Sequence, residues 1–285
     1  INSSGQLRVV SVSGNQIDTP TGNGIYVTVA TAAVVQCSIK NNMIRSASGS
    51  GVASIYVNTD AGLTDLEIDN NNVAEGASTT ASIHVRWDGV WTNGSVSNNT
   101  IGDSTAGAGI YLLCDAIDIP CGLLNVGVNG NRIKNSAAQG IRVYGTTASF
   151  TPSLDRLSVC DNLIEDPGAD GISVEVFSDA TLQHSSISRN QIHNSDGTGI
   201  SLQWSGGGGG SALTEVAVSD NVIVSPNGSG VSLVSLVSGN TLTNISIHNN
   251  TIRDTANHGI ILAGSDMSNL SIVGNNIRNF STGPG

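Results

Sequence analysis

One short motif, Asn-x-Ile or Asn-x-Val, returns ten times along this 285-residue chain at intervals of 25 to 32 residues. Self-similarity at such a period is typical of a solenoid, in which each repeat is one structural unit stacked on the previous one. The regularity predicts a single continuous stack of about ten coils. The asparagines that open the motif are Asn15, Asn42, Asn71, Asn99, Asn131, Asn162, Asn190, Asn221, Asn250 and Asn275.

A second motif, Gly-Ile-x-Val, returns between the asparagines in the same phase, and two coils carry Ser54 and Ser82 in place of its glycine. Alternation of apolar and polar residues at period two indicates strands with one face turned inward. No segment has a helical period. The sequence therefore predicts an all-β fold, a right-handed parallel β-helix whose Ile and Val columns fill the interior.

The motif asparagines are expected at one corner of every coil. Asn is the non-glycine residue that best tolerates the left-handed backbone of a sharp bend. We therefore expect these asparagines to adopt that conformation and to hydrogen-bond from coil to coil through their amides.

The charge balance limits the partners. Lys and Arg number 11 against 22 Asp and Glu, which gives a net charge of −11. Nucleic-acid binding needs clustered cations, and so does adhesion to an anionic membrane. No apolar run is long enough to span a bilayer. We expect neither nucleic acid nor a membrane as partner.

The chain begins with Ile1 and Asn2. We expect residues 1–285 to form one β-helix domain that belongs to a longer chain. Both end coils expose open strand edges, which invite pairing. Flanking domains of the same chain, or association as a homotrimer, are expected to cover them.

The cysteines leave two possibilities open. Cys114 and Cys121 flank a six-residue loop and either form a disulfide or, like Cys37 and Cys160, serve as small buried residues. Their spacing does not indicate a zinc site.

The pattern Ile-Ser-x-Asn-x-Ile followed by Gly-Ile-x-Val resembles the repeats of the pectate-lyase-like superfamily across residues 7 to 280. That superfamily includes polysaccharide lyases, glycoside hydrolases, uronan epimerases, phage tailspikes and NosD-type proteins. The resemblance implies the β-helix fold, polysaccharide as partner, and an extracellular or virion-surface location. Because one scaffold carries many activities, it assigns no catalytic residue.

Rings and charges concentrate at the outward positions of the Gly-Ile-x-Val strands in coils two to six. Aromatic faces stack on pyranose rings, and charged groups bond hydroxyls or carboxylates. We therefore predict a groove for an extended polysaccharide, with Trp87 and Trp91 in its wall, although rings on a strand also serve as simple cover. The predicted substrate-binding residues are Tyr26, Tyr56, Asp60, His84, Arg86, Trp87, Tyr144 and Gln203.

Two reactions fit the groove. Hydrolysis needs two carboxyl groups, and Asp60, Asp88 and Asp115 end successive strands, one coil or about 4.8 Å apart. Each precedes a small residue, so capping of a turn is the alternative role.

Elimination from a uronan needs a neutralising cation and a base instead. Arg86 or Arg142 would neutralise the carboxylate, and Tyr111 would move the proton. Calcium held by Asp88, Asp115 and Glu175 is the alternative neutraliser, no other metal or cofactor being expected. The candidate catalytic residues are Asp88, Asp115, Glu175, Tyr111 and Arg142.

Three function classes follow. The first is an enzyme that binds and cleaves a polysaccharide, as a lyase or a glycoside hydrolase. The second is a non-catalytic carbohydrate-recognition segment of a tailspike or surface adhesin, and the third is a structural stalk. A stalk predicts uniform outer columns, so the uneven distribution of rings and charges favours the first two.

Overall fold

The computed structural model describes residues 1–3, 5–29, 33–49, 53–74, 77–78, 80–104, 107–116, 121–147, 153–177, 180–205, 210–235, 239–264 and 266–279. Within these ranges the regular structure is entirely parallel β-sheet, wound as the predicted right-handed β-helix of about ten coils. The same ranges hold no helix that is long and apolar enough to cross a membrane.

Three long sheets run along the stack, and each coil passes through them in the order A, B, C. Sheet A contains the Gly-Ile-x-Val strands and sheet C the Asn-x-Ile strands. The strands of sheet A are Asn2–Ser3, Ile25–Val29, Ala53–Thr59, Ala81–Trp87, Ala108–Ala116, Ile141–Thr147, Ile172–Phe177, Ile200–Ser205, Val231–Ser235 and Ile260–Ala263.

Sheet B connects the other two and is bent along its length. Its strands are Leu7–Ser13, Val34–Lys40, Leu63–Thr64, Glu67–Asp69, Val90–Ser97, Gly122–Asn129, Ser153–Cys160, Thr181–Ser188, Ala212–Ser219, Thr241–His248, Asp266–Ser268 and Ser271–Val273. Sheet C comprises Gln16–Asp18, Met43–Arg45, Asn72–Ala74, Thr100–Gly102, Arg132–Lys134, Leu163–Glu165, Gln191–His193, Val222–Val224, Thr251–Arg253 and Asn276–Arg278, and a small separate pair is formed by Ser48–Gly49 and Ala77–Ser78.

Three bends with positive φ shape each coil. In one coil they fall at Arg156 within sheet B, at Asp161 before the motif asparagine and at Asp166 after sheet C. Asn162 itself is not among the positive-φ residues, so the predicted left-handed conformation of the motif asparagines is wrong. The bend lies one residue earlier, where Gly, Asn or Asp stands in almost every coil because these residues tolerate positive φ best.

The motif asparagines form the predicted ladder. The Asn162 Nδ2 donates to Asn190 Oδ1 at 2.9 Å and to the Val128 carbonyl oxygen at 2.8 Å. The Asn162 Oδ1 accepts from the Asn131 backbone N at 2.9 Å and from its Nδ2 at 3.0 Å. The side chain is buried. Every hydrogen-bonding group of this buried amide is therefore satisfied by the coils on either side.

Replacing Asn162 with Leu should lower the free energy of unfolding by about 3 kcal/mol, because it leaves buried donors of Asn131 and the Val128 carbonyl without partners. Asn275→Leu should cost only about 1 kcal/mol, because Asn275 is half-exposed and water replaces its lost bonds. Urea denaturation of both variants measures the difference. Equal midpoints would contradict the ladder as the main stabilising element.

Packing between sheets A and C explains why the Gly-Ile-x-Val motif begins with glycine. A Cβ added at Gly171 would overlap the Cγ2 of Ile192, the isoleucine of the same coil's Asn-x-Ile motif, and the carbonyl oxygen of Gly199. The same overlap with the motif isoleucine recurs at Gly109, Gly140 and Gly230. The two sequence motifs are therefore complementary: the isoleucine of sheet C packs directly on the bare Cα of sheet A.

Gly171→Ala should destabilise the protein by about 1–3 kcal/mol through overpacking. The matched control is Gly102→Ala in sheet C, where an added Cβ meets no atom within 4 Å. Thermal unfolding of the two variants tests the packing. A stable Gly171→Ala protein would show that the coil relaxes without cost.

A tryptophan pair and a disulfide lie where strands of sheet A lead into sheet B. Trp87 and Trp91 are fully buried, with ring centroids 5.2 Å apart and the planes at 73°. The Trp87 Nε1 donates to the Gly122 carbonyl oxygen at 2.9 Å. Cys114 and Cys121 form a disulfide, the first of the two possibilities that the spacing left open. The predicted place of Trp87 and Trp91 in a groove wall is wrong, because both indoles face the core.

Candidate functional site

The outward columns of sheet A align as the sequence predicted. Strand register places each residue directly beside its counterpart in the next coil. The first column is Tyr26, Tyr56, His84, Tyr111, Arg142, Ser173, Ser201, Ser232 and Ile261, and the second is Thr28, Asn58, Arg86, Leu113, Tyr144, Glu175, Gln203, Val234 and Ala263. We call these two columns, with Asp60, Asp88 and Asp115 at the strand ends, the sheet A face.

Four rings of the first column stack in series. The centroids of Tyr26 and Tyr56 are 5.3 Å apart, those of Tyr56 and His84 4.8 Å, and those of His84 and Tyr111 4.9 Å. The interplanar angles are 17°, 11° and 5°. The spacing is that of parallel strands, so the coil repeat itself brings the rings into contact.

This stack changes how the rings can meet a ligand. Both faces of Tyr56 and of His84 are covered by neighbouring rings. Stacking of a sugar on these faces, which the sequence led us to expect, is therefore sterically blocked. What the stack offers to solvent is ring edges and phenol hydroxyls, which bind by hydrogen bonds and edge contacts rather than by face-to-face packing.

His84 is the most deeply buried ring of the stack, with only 7% of its surface exposed. Burial, helped by the nearby Arg86 charge, lowers its pKa to about 4. The imidazole is therefore neutral at pH 7. Its Nε2 has no hydrogen-bond partner within the described part of the chain.

Arg86 lies at the centre of a cluster of carboxylates from three successive coils. Its Nη1 donates to Asn58 Oδ1 at 2.9 Å and its Nε to Asp115 Oδ2 at 3.2 Å. The carboxylate oxygens of Asp60 and Asp88 each lie 3.6 Å from its guanidinium. Among the described residues the three aspartates contact this arginine and no backbone amide, so turn capping gains no support at these positions.

The three aspartates of this cluster are not equivalent. Burial raises the pKa of Asp88 above the usual value, Arg86 opposes that shift, and the charges of Asp60 and Asp115 add to it. Asp88 also has the least exposed side chain of the three, at 17%. A raised pKa is what a general acid requires.

Arg142 forms a second cluster further along the sheet. Its Nε and Nη2 donate to the two oxygens of Glu175 at 3.2 and 3.0 Å, and Ser173 Oγ donates to Glu175 Oε1 at 3.0 Å. The guanidinium carbon lies 5.1 Å from the ring centroid of Tyr111 and 4.6 Å from that of Tyr144. The pair is thus bidentate and packed between rings.

These contacts bear on the elimination mechanism. Arg86 and Arg142 are both engaged by carboxylates of the chain, so neither is free to neutralise a sugar carboxylate. Burial raises the pKa of Tyr111 to about 12, which keeps its phenol protonated and disfavours it as a base. Over the described ranges no three His, Cys, Asp or Glu side chains are placed to hold a metal ion, so the calcium hypothesis gains no ligand set there.

Two residues of the clusters were not singled out from the sequence. Asn58 accepts from Arg86, and Ser173 fixes Glu175. Both stand in the outward columns beside a charged residue of a neighbouring coil. The alignment of the repeats could therefore have identified them. Gln203, a predicted binding residue, lies beside Glu175 in the second column, and the residues that follow it there are Val234 and Ala263.

One concave region of about 360 Å³ lies on sheet B beside Asn93, Asn125 and Arg156. Another of about 340 Å³ lies at the first coil beside Asn15 and Tyr26, the first ring of the sheet A face. Several connections from sheet A to sheet B lie outside the described residues.

Comparison with known proteins identifies the fold. No protein-family model matches the sequence, and no curated protein does. Two structures of PfbA, a surface adhesin of Streptococcus pneumoniae, are similar at 14% sequence identity. The first match covers 95% of this chain and 72% of the PfbA chain, with a TM-score of 0.59. The second covers 97% of this chain and 77% of the PfbA chain, with a TM-score of 0.57. The catalytic unit of an α-1,3-glucanase from Streptomyces thermodiastaticus matches at 14% identity, 99% and 62% coverage and a TM-score of 0.49, too low to carry an argument.

The protein is a parallel β-helix, as the repeat pattern predicted. At 14% identity the likeness shows the fold alone. Any function must therefore be argued from the sheet A face itself.

The buried His84 should make stability depend on pH. Because its pKa falls from 6.5 in the unfolded chain to about 4 in the folded one, unfolding takes up a proton between these values. Its contribution is complete above pH 6.5 and is lost as the pH falls toward 4. His84→Phe, which keeps a ring in the stack, should therefore lose less stability than the parent between pH 7 and pH 4.5 in urea denaturation. An identical loss in both proteins would contradict the buried neutral imidazole.

Proposed function

We propose that this β-helix binds an extended polysaccharide along the sheet A face, parallel to the axis of the stack. The observation that carries the proposal is the concentration of rings and paired charges of the sheet A face between the strands of Tyr26 and Glu175. From Ser201 onward the outward columns contain mainly Ser, Gln, Val and Ala. A surface with only a structural role gives no reason for this concentration.

The spacing of the face suits a linear polymer. Coils repeat about every 4.8 Å, so Tyr56 and Tyr111, two coils apart in the first column, follow the axis of the stack, and Asn58 lies in the adjacent second column. Their phenol and amide groups hydrogen-bond sugar hydroxyls without carrying charge.

An extracellular setting agrees with this proposal. The Cys114–Cys121 disulfide is of a kind that persists in oxidising compartments. PfbA, which shares the fold, is a surface adhesin. We place the chain outside the cell or on a virion surface on these grounds.

Hydrolysis of the bound glycan is a second candidate function, favoured by one observation. Asp88, whose pKa is raised, stands between Asp60 and Asp115 on consecutive coils. In this scheme Asp88 protonates the leaving glycosidic oxygen, and Asp115 or Asp60 acts as base or nucleophile. Arg86 lies within 4 Å of all three carboxylates.

Affinity electrophoresis against a panel of soluble polysaccharides tests binding. Tyr144→Ala should weaken binding of any retarding glycan about tenfold, the equivalent of about 1.4 kcal/mol, because a ring and its contact with Arg142 are lost. Arg132→Ala, on the outward side of sheet C, is the matched control and should bind as the parent does. Absence of retardation by every glycan, or equal loss in the control, would refute the proposal.

A reducing-end assay on the glycans that bind tests hydrolysis. Asp88→Asn and Asp115→Asn should each lower the rate at least about a hundredfold while retardation in the gel persists. Binding without any release of reducing ends, in the parent as in the variants, would leave the protein a carbohydrate-recognition module and exclude the hydrolase.

A further inference from the structure

We infer that the polysaccharide on the sheet A face carries no carboxylate or sulfate groups and is an uncharged glycan. The inference rests on the proposed function and adds the chemical class of the ligand. It comes from the fact that the cations of this face already have anionic partners within the chain.

Arg86 already lies among three carboxylates of the chain. Its Nε donates to Asp115 and its Nη1 to the neutral Asn58, while carboxylate oxygens of Asp60 and Asp88 lie 3.6 Å from Nη1 and Nη2. An acidic sugar that approached this guanidinium would meet the negative charge of these aspartates as well. Displacing Asp88, whose side chain is only 17% exposed, would also leave a partly buried carboxylate without its cation.

The guanidinium of Arg142 contacts a carboxylate at one edge and two aromatic rings. Glu175 takes the Nε–Nη2 edge of its guanidinium in a bidentate pair, and Tyr111 and Tyr144 lie against it with centroids at 5.1 and 4.6 Å. Ser173 holds Glu175 in place. The Nε–Nη2 edge, which could otherwise bind a ligand carboxylate in a bidentate pair, is therefore taken by the chain's own glutamate.

The remaining charge balance of the face is negative. Four carboxylates, those of Asp60, Asp88, Asp115 and Glu175, face two guanidiniums within the described residues. The whole chain has a net charge of −11. Like charges brought together at an interface cost several kcal/mol, so an anionic polymer is repelled both at a distance and on contact.

The neutral groups of the face are the ones left for recognition. His84 is uncharged at pH 7, and burial raises the pKa of Tyr56 and of Tyr111, so both phenols keep their protons. Phenols and the Gln203 amide are matched to hydroxyl and acetamido groups. They carry no positive charge with which to neutralise a sugar carboxylate.

The test uses pairs of glycans that differ only in charge. Each neutral polysaccharide of the panel, such as dextran or a soluble β-glucan, is run beside its carboxymethylated derivative at 0.15 M salt, where exposed charges are screened beyond about 8 Å. Any neutral glycan that binds should bind at least tenfold more tightly than its carboxymethylated partner. If the charged partner binds as well or better, this inference is wrong and the binding function stands. If nothing in the panel binds, the proposed function fails and the inference with it.

A matched pair of variants locates the cause. Glu175→Gln releases Arg142 and should raise the affinity for the carboxymethylated partner, relative to that for the neutral glycan, about tenfold. Glu165→Gln removes the same charge from the Arg132–Glu165 pair on sheet C, 3.4 Å apart, and should change neither affinity. An equal gain in both variants would show that net charge alone sets the preference. The pairing of Arg86 and Arg142 with the chain's own carboxylates would then not be its cause.

Discussion

The buried asparagine ladder is the constraint on which the rest of this β-helix depends. Each amide is satisfied only by the coils above and below it, so a slip of one residue would strand several buried polar groups at once. The ladder therefore fixes the register between coils. Because side chains alternate at period two, that register also decides which residues reach the surface of sheet A and which neighbours they meet there.

Exact stacking of coils makes each surface side chain a neighbour of its counterpart in the next repeat. Rings at one position accordingly form a stack, as from Tyr26 to Tyr111, and charges at one position meet across coils. Like charges in one column would repel. Arg86 relieves this repulsion among the three strand-end aspartates by reaching across its own coil and both neighbours. The cluster is a consequence of the repeat as much as of any ligand.

The period of the sequence predicted the β-helix fold and the outward columns, because both follow from spacing alone. It indicated short strands in each coil but not that there are three. Trp87 was misplaced because its residue type suggested a sugar-binding wall, although the alternation that puts Ile83 and Val85 inside puts Trp87 inside as well. The bend was assigned to the motif asparagine rather than to the residue before it, since residue type does not reveal φ. The pairing of Arg86 and Arg142 with chain carboxylates depends on side-chain reach across coils, which spacing does not encode.

The pairing of these arginines with carboxylates of the chain also explains how one surface can serve both stability and recognition. Side chains that are already paired and stacked in the free protein lose little further freedom when a ligand arrives, so binding is opposed by less entropy. The same pairing removes the strong, long-range attraction that free cations would give. A surface of this kind relies on many weak neutral contacts repeated along the coil axis, and affinity then grows with the number of coils that a chain spans. That dependence on length is a property of an extended polymer ligand, and it follows from the repeat that builds the fold.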